Sequence, residues 1–155
     1  MTRPLEASVR FPCFGGSCGA MVGGPGPRRS APEAAALVRR QLLAWHERFT
    51  RFDVTSELSR LNRDPRTTVP VTPIMAALAG AIVAAARMTG GLVDGTLVDW
   101  LESAGYAADL QTSVPLADAL PAAPRRRPAR PRRPARWREI SIDRRACTVT
   151  RPPGV

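Results

Sequence analysis

A capped, one-sided apolar stripe constrains the first third of this chain more than any other feature. Ser30-Ala31-Pro32-Glu33 sets a serine before a proline and a glutamate three residues on. That order is a capping box with proline in the first helical turn. Val38, Leu42, Trp45, Phe49 and Phe52 then follow at steps of four, three, four and three. The period puts five large apolar side chains on one helix face, with Arg39, Arg40, Glu47 and Arg48 mostly off it. The stripe is expected to pack into a core, so the rest of the chain must supply its cover.

The flanking segments predict that cover. Between Ser8 and Gly24, Val9, Phe11 and Phe14 precede Gly15-Gly16, and Ala20-Met21-Val22 follow, which reads as two short strands around a glycine break. Asp53 to Ser56 interrupts the first helix. Thr55 or Ser56 can cap a short helix over Glu57–Leu61, with Asn62 as a left-handed stop. Thr68 to Val71 is extended. Thr72-Pro73 opens a second long helix, with Ile74, Leu78, Ile82 and Val83 on its apolar face, ended by Thr89-Gly90-Gly91. A third helix is expected around Thr96 to Ser103, stopped by Gly105. From Ala107 the pattern weakens. Near the end, Glu139–Asp143 and Cys147–Thr150 read as two strands joined at Arg144-Arg145. The fold class is therefore α+β (mixed α/β), with strands at both ends around three helices.

Charge is concentrated in one place. All 23 basic residues are arginine, and eight fall between Arg125 and Arg138, where there is no acid. The other fifteen face thirteen acids, so the remainder is nearly neutral. Arginine alternating with proline and alanine over residues 125–136 can neither form a helix nor bury apolar area, and a disordered or polyproline-like linker is expected there. Cys13, Cys18 and Cys147 with the single histidine, His46, make no matched zinc set, and incidental thiols are the simpler reading. No run of eighteen apolar residues is long enough for a membrane span. With no secretory signal or lipid-anchor context in the first residues, the expected location is cytoplasmic.

Two blocks carry a family resemblance. Phe49-Thr50-Arg51-Phe52-Asp53-Val54-Thr55-Ser56-Glu57-Leu58-Ser59-Arg60-Leu61-Asn62 is similar to the "FSxYDPxSELSRLN" block of the ApbE-type FAD:protein FMN transferases. Thr89-Gly90-Gly91-Leu92-Val93-Asp94-Gly95-Thr96-Leu97 is similar to their "TGGxFDPTV" block, and one helix separates the two, as in that family. Phe11 to Gly16 resembles the "FxxMGT" strand end. Trp137 to Val155 resembles the strand pair that precedes the family's "DLGGIAKG" segment.

The resemblance implies an incomplete domain of the ApbE or T-fold-like type: residues 1–124 as its N-terminal part, 125–136 as a linker, and 137–155 as a strand pair of the same domain, truncated at 155. It implies magnesium-dependent transfer of FMN from FAD to a threonine or serine hydroxyl of a target flavoprotein, with AMP leaving. Phe14 falls on the family's methionine and offers an apolar surface to a ring. Phe52 falls on its tyrosine, retaining the aromatic face without the hydroxyl. Leu92, Val93 and Asp94 fall on the turn that contacts FAD, where Asp94 can accept hydrogen bonds from ligand hydroxyl or amino groups. For the same residues, core packing of Phe52 and helix capping by Asp94 stand as alternatives. The Mg2+ ligands are expected outside this chain, no catalytic residue is assigned, and the chain alone is expected to be inactive. Two other readings stand beside this one: a polyanion or nucleic-acid binder using Arg125 to Arg138, which lacks interleaved aromatic residues, and a nonfunctional truncated remnant.

Overall fold

The computed structural model describes residues 6–24, 26, 28–109, 115–122 and 128–153. The chain divides into two compact units, residues 1–59 and 60–155.

In the first unit, alternation turns a short sequence into a one-sided ribbon. β1 (Glu6–Cys13) and β2 (Gly16–Gly23) pair antiparallel, with Val9 opposite Ala20, Phe11 opposite Cys18 and Cys13 opposite Gly16. Phe11, Cys13 and Ala20 are buried, while Arg10, Pro12, Gly19 and Met21 face out. A single register satisfies both strands, because a one-residue slip would expose the whole apolar set. α1 (Ala31–Phe49) lies against this ribbon. Its N-terminus is tied as expected: the Glu33 carboxylate accepts from the Ser30 amide at 2.7 Å and from the Ser30 hydroxyl at 2.6 Å. Ala31 and Ala35 are the fully covered helix residues, which lets the helix approach the hairpin closely.

The stripe is less covered than expected. Leu42, Trp45 and Phe49 are half-buried, and Val38 is 40% exposed. The physical reason is width, since two strands cannot cover a face five large residues long. α1 also stops at Phe49, so Phe52 lies beyond the helix.

In the second unit, α2 (Glu57–Arg63), which begins in the preceding unit, leads to β3 (Thr68–Pro70) and α3 (Pro73–Met88). α4 (Val98–Ser103) and α5 (Leu116–Ala122) follow, then a 3-10 turn at Arg136–Glu139, β4 (Ser141–Asp143) and β5 (Thr148–Thr150). The sheet order is β3-β5-β4, all antiparallel, with Val69 opposite Val149 and Ile142 opposite Val149 on its other side. α3 packs on β4 and β5, and its buried Met75, Ala76, Val83 and Ala86 join Leu61, Val69, Trp137 and Val149 in the core.

Three local expectations change. Asn62 does not stop α2, which runs to Arg63. Instead the buried Arg151 donates through Nη2 to the carbonyls of Leu61 (2.7 Å) and Asp64 (2.8 Å), supplying from β5's far end the donors that the helix C-terminus needs. The third helix begins at Val98, two residues later than expected, because Asp94 closes a turn ahead of it. α5 occupies a stretch where the sequence pattern had weakened. The two sheets and their flanking helices make the chain α+β. Among the described residues, no helix is long and apolar enough to cross a membrane.

Candidate functional site

The block from Thr89 to Thr96 is a turn braced at both ends by threonine. α3 ends in a Schellman arrangement: Gly91 N–H donates to Ala86 O at 2.7 Å and Gly90 N–H to Arg87 O at 3.2 Å. Gly90 and Gly91 have φ of 61° and 91°, a region that an L side chain enters only at a cost. A Cβ on Gly91 would also lie 2.9 Å from Trp137 Nε1 and 3.3 Å from Pro131 Cβ. Glycine is thus required there twice over. The Thr89 hydroxyl donates to Ala85 O (2.8 Å) and accepts from Val93 N–H (3.0 Å), closing the loop from the helix side.

At the other end, Asp94 Oδ1 accepts both the Thr96 amide, at 2.8 Å, and the Thr96 hydroxyl, at 2.6 Å. Asp94 Oδ2 is buried and has no hydrogen-bond partner. An unmade bond at a buried carboxylate oxygen costs about 1–3 kcal/mol, which a donor brought to this atom would recover. Beside it, Leu92 and Val93 are 57% and 44% exposed despite being apolar. The turn therefore exposes two apolar side chains beside one buried acceptor on a fixed backbone.

Phe14 sits in the two-residue link between β1 and β2. Phe14 and Gly15 have φ of 54° and 72°, the backbone signs of a type I′ hairpin turn. Asn or Gly is the usual occupant of the first position. A phenylalanine at positive φ is strained by roughly 1–2 kcal/mol and is held by its surroundings. The hold is His46 on α1, whose Nδ1 accepts the Phe14 amide at 3.2 Å and whose ring meets the Phe14 ring edge-on at 5.3 Å. The Phe14 side chain is 49% exposed.

Phe52 lies in the loop after α1. Two buried serines of the Ser56-Glu57-Leu58-Ser59 stretch hold that loop: Ser56 Oγ donates to Thr50 O and Ser59 Oγ to Arg51 O (3.3 Å). Ser56 also caps α2 by accepting Ser59 N–H at 3.0 Å. Asp53 Oδ1 accepts the Thr55 amide and hydroxyl, and those bonds hold the Asp53 carboxyl below the usual carboxylate range. The Arg51 guanidinium lies 4.2 Å from the centroid of the half-buried Phe52 ring. The block that reads as a motif is thus a clamp that orders this loop.

Phe14 and Phe52 belong to the first unit, and Leu92, Val93 and Asp94 to the second. Within the second unit the latter three share one turn. The sequence gives little sign of His46, Thr89 or Thr96 as supports. His46 stands out only as the single histidine, and the two threonines only as the ends of the glycine block. Among the described residues, no group of three or more His, Cys, Asp or Glu side chains is placed to hold a metal ion.

Solved structures show the same architecture. The chain is similar to the ApbE protein of Thermotoga maritima (20% identity, TM-score 0.69), with 97% of this chain and 46% of that one covered. It is similar to the apo form of the flavinyl transferase ApbE of Pseudomonas stutzeri (17% identity, TM-score 0.65; 97% and 48% covered). It is also similar to a mutant of the flavin transferase ApbE from Vibrio cholerae (15% identity, TM-score 0.64; 94% and 45% covered). The chain spans about half the length of these proteins. The sequence profile of the ApbE family matches residues 15–154, and the chain belongs to that family. No curated protein sequence matches it.

Proposed function

We propose that this chain supplies the flavin-side contacts of an FAD:protein FMN transferase. In that reaction a threonine or serine hydroxyl oxygen of a target flavoprotein attacks the FMN phosphorus of FAD. The pyrophosphate P–O bond breaks, AMP leaves, and the hydroxyl proton is lost. Positioning and charge stabilisation carry such a transfer. The single observation that supports the reading here is the buried, unpartnered Asp94 Oδ2 on a braced turn in a chain of this family.

Each residue then has a task. Asp94 accepts a hydrogen bond from a hydroxyl or amino group of FAD. In the second unit Leu92 and Val93 cover part of a ring system; in the first, Phe14 and Phe52 each offer an aromatic face, that of Phe52 already in contact with Arg51. A magnesium ion, when bound, would offset charge on the transferring phosphate. No residue of this chain is assigned to it, and the proposal is confined to the flavin. The polyanion reading finds less support: Arg132, Arg136 and Arg138 direct their guanidinium groups to partners in the chain itself.

Amide chemical-shift mapping of the isotope-labelled chain tests the assignment. Adding FAD is expected to shift Val93, Asp94 and Thr96 together with Phe14 and Gly15. Shifts confined to the arginine-rich segment, reproduced by inorganic polyphosphate, would favour the polyanion reading instead.

A further inference from the structure

We infer that Arg132 is a positioning residue: it holds the Thr89–Thr96 turn in the shape that presents Asp94. The flavin part of this inference rests on the proposed function; the part concerning the turn does not.

Thr96 is the point of leverage. Its amide and hydroxyl are both given to Asp94 Oδ1, and its carbonyl accepts Arg132 Nη1 at 3.1 Å across 36 residues. Thr96 is buried, so a bond to its carbonyl replaces water that cannot reach it freely. One residue is thus gripped from both sides, by the carboxylate it orients and by the guanidinium that fixes its own backbone. If the Thr96 backbone rotates, Asp94 loses both donors to Oδ1, and Oδ2 loses its direction. The guanidinium also lies over the Trp100 ring on α4, 5.1 Å from its centroid. A planar cation with several donors suits this double contact, where lysine has donors but no planar face to lay on the ring.

The neighbours of Arg132 reinforce the grip. Pro131 and Trp137 come so close to Gly91 that no Cβ fits between them. Arg136 Nη2 donates to Pro153 O at 2.7 Å, and the Arg138 guanidinium lies 5.2 Å from the Trp137 ring centroid. The described part of the arginine-proline segment is therefore laid along the turn, with one residue touching each end of it: Pro131 at Gly91 and Arg132 at Thr96. That arrangement gives the segment a role its charge alone does not suggest.

The test compares Arg132→Ala, Arg132→Lys and Arg130→Ala with the native chain, using amide hydrogen exchange without ligand and FAD titration. Arg132→Ala is expected to speed exchange at Val93 and Thr96 by about tenfold, leaving Val69 and Val149 in the sheet unchanged. It is expected to weaken FAD binding by about five- to tenfold, and Arg132→Lys to recover part of that loss by restoring a donor to Thr96 O. Arg130→Ala removes the same charge from the same segment and should leave both readouts near native. Unchanged exchange at Val93 and Thr96 in Arg132→Ala would overturn the inference. So would an equal loss of FAD affinity in Arg130→Ala, which would make the effect one of net charge. A native chain that takes up no FAD would overturn the functional reading and the flavin part of this inference, while the exchange rates would still decide whether Arg132 holds the turn.

Discussion

Asp94 holds Thr96 with one carboxylate oxygen, and the other makes no hydrogen bond. Oδ1 receives the amide at 2.8 Å and the hydroxyl at 2.6 Å, while Oδ2 is buried without a partner. Asp94→Asn retains an acceptor for Thr96 but replaces Oδ2 with an NH2 donor. We expect a stability loss of about 1 kcal/mol, from weaker bonds to a neutral acceptor, in urea unfolding. We expect a larger effect on FAD, about tenfold or more in Kd, because donor would face donor. Equal FAD affinity in native and variant chains would remove Asp94 from the site.

At Phe14, in the first unit, stability can be separated from the proposed flavin contact. Phe14→Gly relieves the positive φ of 54° but gives up the ring contact with His46. The two effects oppose each other, so the unfolding free energy is expected to change by less than about 1 kcal/mol. FAD binding should nevertheless weaken. His46→Ala keeps the ring but removes the acceptor of the Phe14 amide, with an expected cost of about 0.5–1.5 kcal/mol. If Phe14→Gly destabilises strongly and binds FAD as the native chain does, Phe14 is a packing residue.

The two glycines after α3 carry different burdens. Gly90 has a positive φ and open space where a Cβ would stand, whereas at Gly91 a Cβ would meet Trp137 and Pro131. Gly90→Ala is expected to cost about 1 kcal/mol from backbone strain. Gly91→Ala should cost more, about 2–4 kcal/mol, because strain and overlap add. Thermal unfolding of the pair gives the ordering, and equal losses would mean that the segment carrying Pro131 and Trp137 does not press on the turn.

Acid titration reaches the end of α2. Hydrogen bonds from the Arg66 side chain, then its amide, hold the Asp64 carboxyl down to about 2. The folded value lies below the unfolded one of about 3.9, so the stabilisation is present above the unfolded value and is lost as pH falls toward about 2. The Arg66 side chain is exposed, so the effect is small and weakened by salt. The difference in urea midpoint between native and Asp64→Asn chains should hold steady above about pH 5 and close between about pH 4 and pH 2. A difference that persists unchanged at pH 2 would mean that Asp64 acts without its charge.

What could be read from the sequence was local. The Ser30 and Glu33 cap, the Thr72-Pro73 helix start and the Gly90-Gly91 stop each depend on neighbours a few residues apart, and each forms as read. The resemblance also singled out Asp94, Leu92 and Val93 on what proves to be one braced turn. The rest depends on contacts that no local pattern encodes. His46 reaches Phe14 across 32 residues, Arg132 reaches Thr96 across 36, and Arg151 reaches Leu61 across 90. The last explains why Asn62 fails as a helix stop: a distant guanidinium supplies the donors that a left-handed residue would have arranged. The apolar stripe of α1 gave its period correctly but not its cover, because the number of strands laid against a helix is a property of the fold.

An FAD titration of the native chain beside Asp94→Asn, followed by flavin fluorescence, tests the proposal that the Leu92–Asp94 turn binds flavin. We expect saturable quenching by the native chain and a Kd about tenfold or more weaker in the variant, with both chains equally folded by circular dichroism. Saturable binding of the same strength in both chains would contradict the claim, as would the absence of saturable binding in either.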